Sequence, residues 1–455
     1  MTNYHHYKLN CKTLSPVHIG NGETIASIGD FYTSSNRLFF IDQEKLDKSI
    51  DPVENKEFFN RYMDEIRKNV SLSKSDFSIV PFLNENGIGL DTITSEKEIP
   101  ILTEDYKSQK NSQLKLAASQ NKSLYFPGSS IKGAIKTAMF YHYLSNNPDI
   151  LNKWLEIIEF SSDKKNYLKE WTTKIEQEFY QFFRGEKSDY NLLRIEDTAS
   201  FCADDKGVWE TGRYHLYKNN DEMITWLSEG VKSNTPFNLT LTVVPEFVAD
   251  FLTFLNSSDI TSLLTLINKF SKIQLEIEIK EIGTSNLQSI DKQLILKRLN
   301  DLLQLTGNNQ QAILRLGAGK SFFYNTVCSL LDKAHFEQLR SLVGIGKNDE
   351  SLFPLSRTFT TDYESFGWIL IEMPKEKEIV LPLNKVNELV TNETLLQAAV
   401  IDPKKVAINL NGTVIEVQLV LTLVQKANIP KKGEILEVFV KQLSNNGRIV
   451  MVGIK

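Results

Sequence analysis

Cysteine is scarce in this sequence: three residues, Cys11, Cys202 and Cys328, are spread over 455 positions. Their odd number leaves at least one thiol unpaired, and no two of them have the short spacing of zinc ligands. The sequence therefore disfavours a disulfide framework and a zinc site, and it favours a reducing compartment. We expect neither a bound metal nor a cofactor.

Long apolar runs are also missing. The first ten residues, MTNYHHYKLN, lack the apolar core of a signal peptide, and no uncharged stretch is long enough to span a bilayer. Hydrophobic residues make up 41% and charged residues 24% of the chain, as in ordinary globular proteins. We therefore expect a cytoplasmic protein without membrane contact, divided into two or three domains.

Positive charge is limited overall, since the net charge is −5. This disfavours a general nucleic-acid binder, because phosphate contacts are usually made by a basic surface. The C-terminal residues differ: from Leu396 onward eight Lys and Arg face four Asp and Glu, which gives +4 there and leaves −9 for the rest. Any contact with nucleic acid is therefore expected from particular segments.

Hydrophobic periodicity predicts a mixed α+β protein. Apolar residues at helical spacing predict helices over 53–70 and 291–305, and an aromatic-rich helical insertion over 150–183. Runs of alternating or apolar residues predict strands, for example over 239–244. The polar stretch 103–123 has few large apolar residues and is predicted to be a mobile loop.

The C-terminal segment contains two hairpin patterns. VAINLNGTVIEVQL has a turn at Asn411-Gly412, and ILEVFVKQLSNNGRIVMV has one at Asn446-Gly447. Asn-Gly between alternating apolar residues is a strong hairpin signal. A small, basic, all-β extension over 396–455 is consistent with an OB-like barrel. An extension of the edge of the main sheet is an equally good interpretation.

The segment FPGSSIKGAIK combines the start of a helix with two basic residues. Ser129 or Ser130 can serve as the N-cap, and Gly128 permits close approach of another backbone. The N-terminus of a helix attracts anions through its unpaired N–H groups, and Lys132 and Lys136 lie on one face beside it. The pattern predicts a phosphate-binding site, with a capped helix bearing two solvated lysines as the alternative.

A glycine-rich segment, LRLGAGKSFF, follows later in the chain. Its GAGKS core resembles a nucleotide-binding P-loop, but that motif needs a glycine where this chain has Leu314, and a strand where QQAILRL has a helix-like pattern. We therefore expect no ATP binding. A flexible loop with Arg315, Gly317, Gly319 and Lys320, followed by aromatic residues, suits a sugar-phosphate backbone and a stacked base better.

Few residues indicate catalysis. His18 in PVHIGNG is a weak candidate for an acid or base in RNA cleavage, although no second histidine or lysine lies at a telling distance. Asp30 is the other weak candidate. Asp30, Glu196 and Asp197 are each expected to be cap or turn residues.

Taken together, these segments resemble a known family. PVHIGNG, FPGSSIKGAIK, RIEDTAS, LRLGAGKSFF and PLSRTFTTDYESFGWILIE follow, in this order, the pattern of the RAMP proteins of type III CRISPR effectors. The resemblance covers roughly residues 1–373. Within that family it is greatest to the subunit of the type III-A Csm complex that lies at the 3′ end of the guide RNA.

The resemblance implies a fold built from two RRM-like (ferredoxin-like) units. The first would cover residues 1–235, with the helical insertion at about 150–183, and the second would cover 236–374 with the glycine-rich loop. The basic extension over 396–455 departs from what we expect of the shorter members of the family.

The resemblance also implies a function and partners. Such subunits bind the guide RNA (crRNA), contact other Csm-complex subunits and meet target RNA indirectly. The implied guide-RNA contacts are Ser129, Ser130, Lys132, Lys136, Gly317, Gly319 and Lys320. The subunit at the 3′ end is expected not to cut RNA. Two alternatives remain: an endoribonuclease that processes CRISPR repeat RNA around His18, and a protein scaffold that recruits a nuclease through 150–183.

Overall fold

The computed structural model describes most of the chain. The described residues are 5–49, 56–71, 79–104, 106, 112–152, 193–217, 224–243, 260–320, 322–343, 356–373, 383–384, 390–411, 413–422, 425, 429–444 and 448–455. The predicted helical insertion lies outside them from residue 153 onward. No helix among the described residues is long and apolar enough to cross a membrane.

Within these residues the chain alternates between strands and helices, which confirms the predicted α+β class. The helices are α1 (Gln43–Ser49), α2 (Lys56–Ser71), α3 (Ile79–Glu85), α4 (Leu90–Ile93), α5 (Gly128–Asn146), α6 (Thr261–Thr284), α7 (Ser289–Leu305) and α8 (Lys333–Val343). Short 3-10 helices are Ala203–Asp205, Phe322–Asn325 and Cys328–Leu330.

The strands, in chain order, are β1 (His5–Thr13), β2 (Gly20–Ala26), β3 (Phe31–Ser34), β4 (Arg37–Ile41), β5 (Thr94–Pro100), β6 (Gln113–Ala117), β7 (Ser119–Gln120), β8 (Ser123–Leu124), β9 (Leu193–Ile195), β10 (Lys206–His215), β11 (Ile224–Val231), β12 (Pro236–Val243), β13 (Gln311–Arg315), β14 (Ser356–Thr360), β15 (Trp368–Glu372), β16 (Leu383–Asn384), β17 (Leu395–Asp402), β18 (Lys405–Leu410), β19 (Thr413–Val420), β20 (Ile435–Leu443) and β21 (Ile449–Ile454).

The first sheet has five antiparallel strands in the order β13-β15-β1-β12-β9. Alternate residues of its strands, such as Leu9, Leu239 and Leu241, point to one face and pack against α5 and α6 in one hydrophobic cluster. This sheet draws its strands from both sides of the boundary predicted at 235/236. Residues 1–235 and 236–374 therefore share one core, and their division into two units remains a prediction.

The second sheet has the order β14-β10-β11-β6-β2, with β6 parallel to β11. Its strand β6 lies inside the stretch 103–123, so the prediction of a loop over that whole stretch was wrong. The physical reason is tertiary pairing, because β6 is hydrogen-bonded to a strand on each side. Leu114 is completely buried there despite its polar neighbours. A small third sheet, β3-β4-β5, packs against it and against α1–α4.

Pro374–Lys455 form a second compact unit, separate from Met1–Met373. Five of its strands close into a ring, β17-β18-β19-β21-β20, with β20 pairing again to β17; we call this the C-terminal barrel. Both predicted hairpins are confirmed by strand pairing, as the antiparallel pairs β18–β19 and β20–β21. Of the predicted turn residues, Gly412, Asn446 and Gly447 lie outside the described residues. The unit begins before the predicted residue 396, since β16 also pairs with β18.

Candidate nucleic-acid interface

Three strands of the first sheet end at the same edge, which we call the motif edge. β1, β9 and β13 are each antiparallel to β12 or β15, so the loops that follow them leave the sheet on the same side. These loops carry PVHIGNG, RIEDTAS and the glycine-rich segment. The topology thus brings together motifs that are far apart in the sequence.

The glycine-rich loop lies directly on the PVHIGNG turn. The backbone N–H of Ala318 donates to the carbonyl oxygen of His18 over 2.8 Å. Gly317 has a φ of 66°, and a Cβ at this position would collide with the same carbonyl group. Only glycine combines this left-handed conformation with so close an approach. The sequence GAG is therefore explained by packing within the protein, before any ligand is considered.

The PVHIGNG turn is connected through the chain before α5 to the RIEDTAS loop. The carbonyl of Ile19 accepts the N–H of Ala118 at 2.7 Å, and the N–H of Tyr125 donates to the carbonyl of Ala118 at 3.2 Å. The next residue, Phe126, pairs with Thr198: its N–H donates to the threonine Oγ1 at 2.8 Å, and its carbonyl accepts the Thr198 N–H at 3.1 Å. Backbone hydrogen bonds therefore join all the motifs at the edge.

An acid occupies the N-terminus of α5. The first helical N–H, that of Gly128, donates to the carboxylate Oδ1 of Asp197 at 2.7 Å. A Cβ at Gly128 would collide with the carbonyl oxygen of Ile195, which explains why glycine begins this helix. The prediction that Asp197 is a cap residue is confirmed. A phosphate at this position would have to compete with the carboxylate.

The predicted N-cap serines are placed differently. The helix begins at Gly128 after Pro127, so Ser129 and Ser130 lie in its first turn, and the prediction that one of them caps the helix was wrong. The reason is that the cap comes from the distant RIEDTAS loop, which a local pattern does not reveal. Ser129 is exposed at the motif edge, and Ser130 is half-buried.

Lys132 and Lys136 are half-buried on α5. Burial lowers the pKa of Lys132, and the positive charge of Arg194 on β9 lowers it further. The charge of Arg194 therefore repels that of Lys132, and the two cations contribute positive potential to the same place. An incoming phosphate would relieve that repulsion.

Arg315 is placed in the interior beneath the glycine-rich loop. Its guanidinium donates to the Glu278 carboxylate at 3.0 Å, to the Phe366 carbonyl at 3.0 Å and to the Gly319 carbonyl at 3.1 Å. The Tyr324 hydroxyl donates to the same Glu278 oxygen at 2.7 Å. With its side chain 1% exposed, Arg315 has a geometry suited to holding the loop. Its predicted contact with RNA would need this network to open.

Lys320, at the end of the loop, is partly exposed. Burial lowers its pKa to about 8, and the nearby charge of Arg315 contributes to the shift. Lys320 therefore remains mainly protonated at neutral pH, and its ammonium group has lost part of its hydration. A partly dehydrated cation gains more from contact with a phosphate than a fully solvated one does.

The segment before the glycine-rich loop is a strand, as in a P-loop, and this removes one of the two differences expected from the sequence. Gln311–Arg315 form a strand, so the helix predicted for QQAILRL was wrong. A P-loop also needs an α-helix directly after its lysine, and a short 3-10 helix, Phe322–Asn325, stands in that place.

His18 and Asp30, the weak catalytic candidates, lie in different turns. The His18 imidazole is buried, and its Nδ1 lies 2.5 Å from the Glu229 carbonyl, to which it can donate. Burial lowers the pKa of His18, which favours the neutral ring. Asp30 accepts the N–H of Ala26 at 2.8 Å in the turn between β2 and β3, so its predicted turn role is confirmed. Among the described residues no cluster of His, Cys, Asp or Glu could hold a metal ion.

Comparison with known proteins connects this edge to a family. The sequence matches the RAMP superfamily over residues 10–324, which is well over half of the chain and includes every motif at the edge. The chain belongs to the RAMP superfamily. The glycine-rich loop, the PVHIGNG turn and the start of α5 are thus features of a RAMP protein.

Two relatives of this RAMP chain carry the name CRISPR system Cms protein Csm5. The one from Methanocaldococcus jannaschii is 27% identical over 352 residues, which cover 74% of this chain and 77% of the relative. The one from Streptococcus thermophilus is 27% identical over 207 residues, covering 44% of this chain and 53% of the relative.

Two solved structures have a similar fold. One is a chain of the cryo-EM structure of a Csm-crRNA-target RNA ternary complex in a type III-A CRISPR-Cas system, with a TM-score of 0.56, 18% identity and coverage of 82% of this chain and 100% of the other. The second is the crystal structure of T. onnurineus Csm5, with a TM-score of 0.51, 17% identity and coverage of 79% and 99%.

Sequence reasoning missed Glu278, the acid that holds Arg315 in the RAMP chain. A signal for it was present, because Glu278 falls on the buried stripe of α6 between Leu275 and Ile282. A charged residue on an apolar helix face indicates a buried partner of opposite charge. The sequence does not show which arginine that partner is.

Proposed function

We propose that this RAMP chain is a subunit of a type III-A CRISPR ribonucleoprotein, similar in role to Csm5, and that it binds the guide RNA at the motif edge. It would hold the 3′ end of the guide and assist its maturation, with crRNA and other Csm-complex subunits as partners. The names of its relatives and the complex that contains its structural neighbour support this assignment.

The convergence of the motif loops on one edge is the observation that carries the proposal. Those loops are joined by backbone hydrogen bonds, so the edge is preorganised. Lys132, Lys136 and Lys320 provide positive charge for contacts with a sugar-phosphate backbone. Contacts of this kind recognise shape and phosphate position, which suits a guide whose sequence varies.

We propose that the subunit does not cut RNA itself. Cleavage needs a base that reaches the 2′-hydroxyl and a group that stabilises charge on phosphorus. His18 is buried with its Nδ1 against a carbonyl group, and Asp30 is held in a turn. The His18 ring supports the PVHIGNG turn of the edge, and Asp30 supports the turn between β2 and β3.

Two fold assignments belong to the same proposal. Strands β15-β1-β12-β9, with α5 and α6 on one face, have the layout of one RRM-like unit, and the strands of the second sheet lie in its connections. The second of the two RRM-like units that the family resemblance implies stays a prediction. The C-terminal barrel is OB-like: its first strand pairs with the second and fourth, and its third and fifth strands are parallel.

The test is a double substitution, Lys132→Ala with Lys136→Ala, in the assembled complex. Losing two phosphate contacts should lower the guide content and reduce the salt slope of guide binding by about 1–2. The matched control is Lys272→Ala with Lys280→Ala, which removes the same charge from exposed positions of α6. Guide RNA would be quantified and sequenced at its 3′ end in each purified complex.

Two further measurements, one on the isolated chain and one on the complex, discriminate the alternatives. Cutting of repeat RNA in EDTA by the isolated chain would establish an endoribonuclease. Guide content equal to wild type in the double variant, with no crosslink between guide and chain, would favour a protein scaffold.

A further inference from the structure

The C-terminal barrel gathers lysines from two connections at one of its ends, which we call the basic end. Strands β17, β19 and β21 finish there, and β18 and β20 begin there. The β17–β18 turn carries Lys404 and Lys405, and the approach to β20 carries Lys431 and Lys432. A backbone hydrogen bond fixes each connection to a neighbouring strand. The Gly433 N–H before β20 donates to the Val400 carbonyl of β17 at 2.8 Å, and the Leu419 N–H of β19 donates to the Lys404 carbonyl in the β17–β18 turn at 2.7 Å.

The acids nearby do not cancel this charge fully. Asp402 accepts the backbone N–H of Lys404 at 2.7 Å, and Glu434 accepts the backbone N–H of Lys431 at 2.9 Å, so both carboxylates are committed to turns. All four lysines are exposed. The turns thus hold the backbones of these lysines in place at the surface of the barrel.

Exposed apolar surface lies beside the lysines. Ile429 is 55% and Ile435 is 45% exposed, at either end of the segment that carries Lys431. Together with the lysines, these two side chains give the basic end both charged and apolar contact surface. Phosphates could contact the lysines while unstacked bases or riboses cover the isoleucines, an arrangement that a base-paired duplex does not offer.

We propose that the basic end binds a single strand of nucleic acid through its phosphates, as a second site on this chain. Charge complementarity favours this ligand, because the residues from 396 onward have a net charge of +4 in a chain of −5. OB-like barrels commonly use the turn between their first two strands for such binding. This site goes beyond the proposed function and does not depend on the motif edge.

The test uses the full chain with three substitutions, Lys404→Ala, Lys405→Ala and Lys431→Ala. Its probe is fluorescein-labelled decauridine RNA, followed by anisotropy over a series of KCl concentrations. Three phosphate contacts to a single strand contribute about 0.7 each, so the salt slope should fall by about 2. Lys272→Ala, Lys280→Ala and Lys297→Ala form the control, with the same loss of charge from exposed helix positions.

The Lys132→Ala, Lys136→Ala variant is measured in parallel to separate the two sites. A slope that falls only in this variant overturns the second site and leaves the proposed function standing. A slope that falls only in the barrel variant supports the second site and overturns RNA binding at the motif edge. Unchanged slopes in both variants overturn both sites.

Crosslinking of wild-type chain to decauridine with 4-thiouridine gives a result that does not depend on how the variants fold. Crosslinked peptides are expected to include residues 402–405 or 429–435. Crosslinks confined to residues 1–373 would overturn the proposal for the barrel.

Discussion

Replacing Glu278 with Gln tests whether the buried ion cluster holds the glycine-rich loop in place. Gln keeps the shape of the side chain and removes its charge. Arg315 and Arg357 lie 3.0 and 3.6 Å from the Glu278 carboxylate, and their side chains are only 1% and 2% exposed. The substitution would therefore leave two buried guanidinium groups around a neutral amide.

The expected cost can be worked out from this burial. Removing one partner of a buried ion pair costs about 3–5 kcal/mol. Unfolding of Met1–Met373 should carry an entropy of about 0.8 kcal/mol/K, at about 2.1 cal/mol/K per residue. We therefore expect the melting temperature of this unit to fall by about 4–6 °C.

Scanning calorimetry of the full chain would measure this shift. Glu276→Gln is the matched control, since Glu276 lies on the same helix, is 51% exposed and pairs with Lys272 at 3.8 Å. An exposed pair of this kind contributes about 0.5 kcal/mol, or less than about 1 °C here. If both variants melted within about 1 °C of wild type, the ion cluster would not be what holds the loop.

Three further predictions concern the motif edge. Raising the pH from 7 to 9 should weaken RNA binding measured by anisotropy, because the pKa of Lys320 is lowered to about 8 and the side chain loses its charge over this range. The Lys320→Arg variant should bind RNA equally at both pH values, since arginine stays charged. Gly317→Ala should lower the melting temperature more than Gly22→Ala, because both have positive φ and only Gly317 meets another backbone group; equal shifts would contradict the packing argument. His18→Ala with Asp30→Ala should leave target-RNA cutting by the assembled complex at its normal number of sites, and loss of one site from an intact complex would make Asp30 catalytic.

Elements with their own periodic signal could be predicted from the sequence. Helices α2 and α7 follow from apolar residues at helical spacing, and the hairpin at Asn411 follows from its turn residues. Such signals are local, because each element presents one apolar face or one special turn to its surroundings.

Elements defined by distant partners could not be predicted in the same way. Strand β13 is buried on both faces, with Ile313 and Leu314 in different hydrophobic clusters, so its three central residues are all apolar and could equally belong to a buried helix. Strand β6 is polar at two of five positions, in a stretch with few large apolar residues, and its pairing with β2 and β11 decides its structure.

The candidate site could also be predicted only in part, because some of its residues are defined by distant partners. The motifs and their order pointed to the family, and the glycines were found where close approach requires them. The roles of charged side chains were harder to predict, since Arg315 looked like an RNA ligand until its partner Glu278 was known. A charged residue in a loop motif can stabilise the loop, and its position in the motif does not by itself show that it binds the ligand.

The central position of β1 in the first sheet has a consequence for synthesis of the chain. β1 ends at Thr13, and one of its two neighbours, β15, begins at Trp368. At about 5–20 residues per second, the ribosome would need roughly 20–70 s to produce that neighbour after β1 has emerged. One edge of this central strand therefore stays unpaired for most of translation, which is the period when the nascent chain most needs a chaperone.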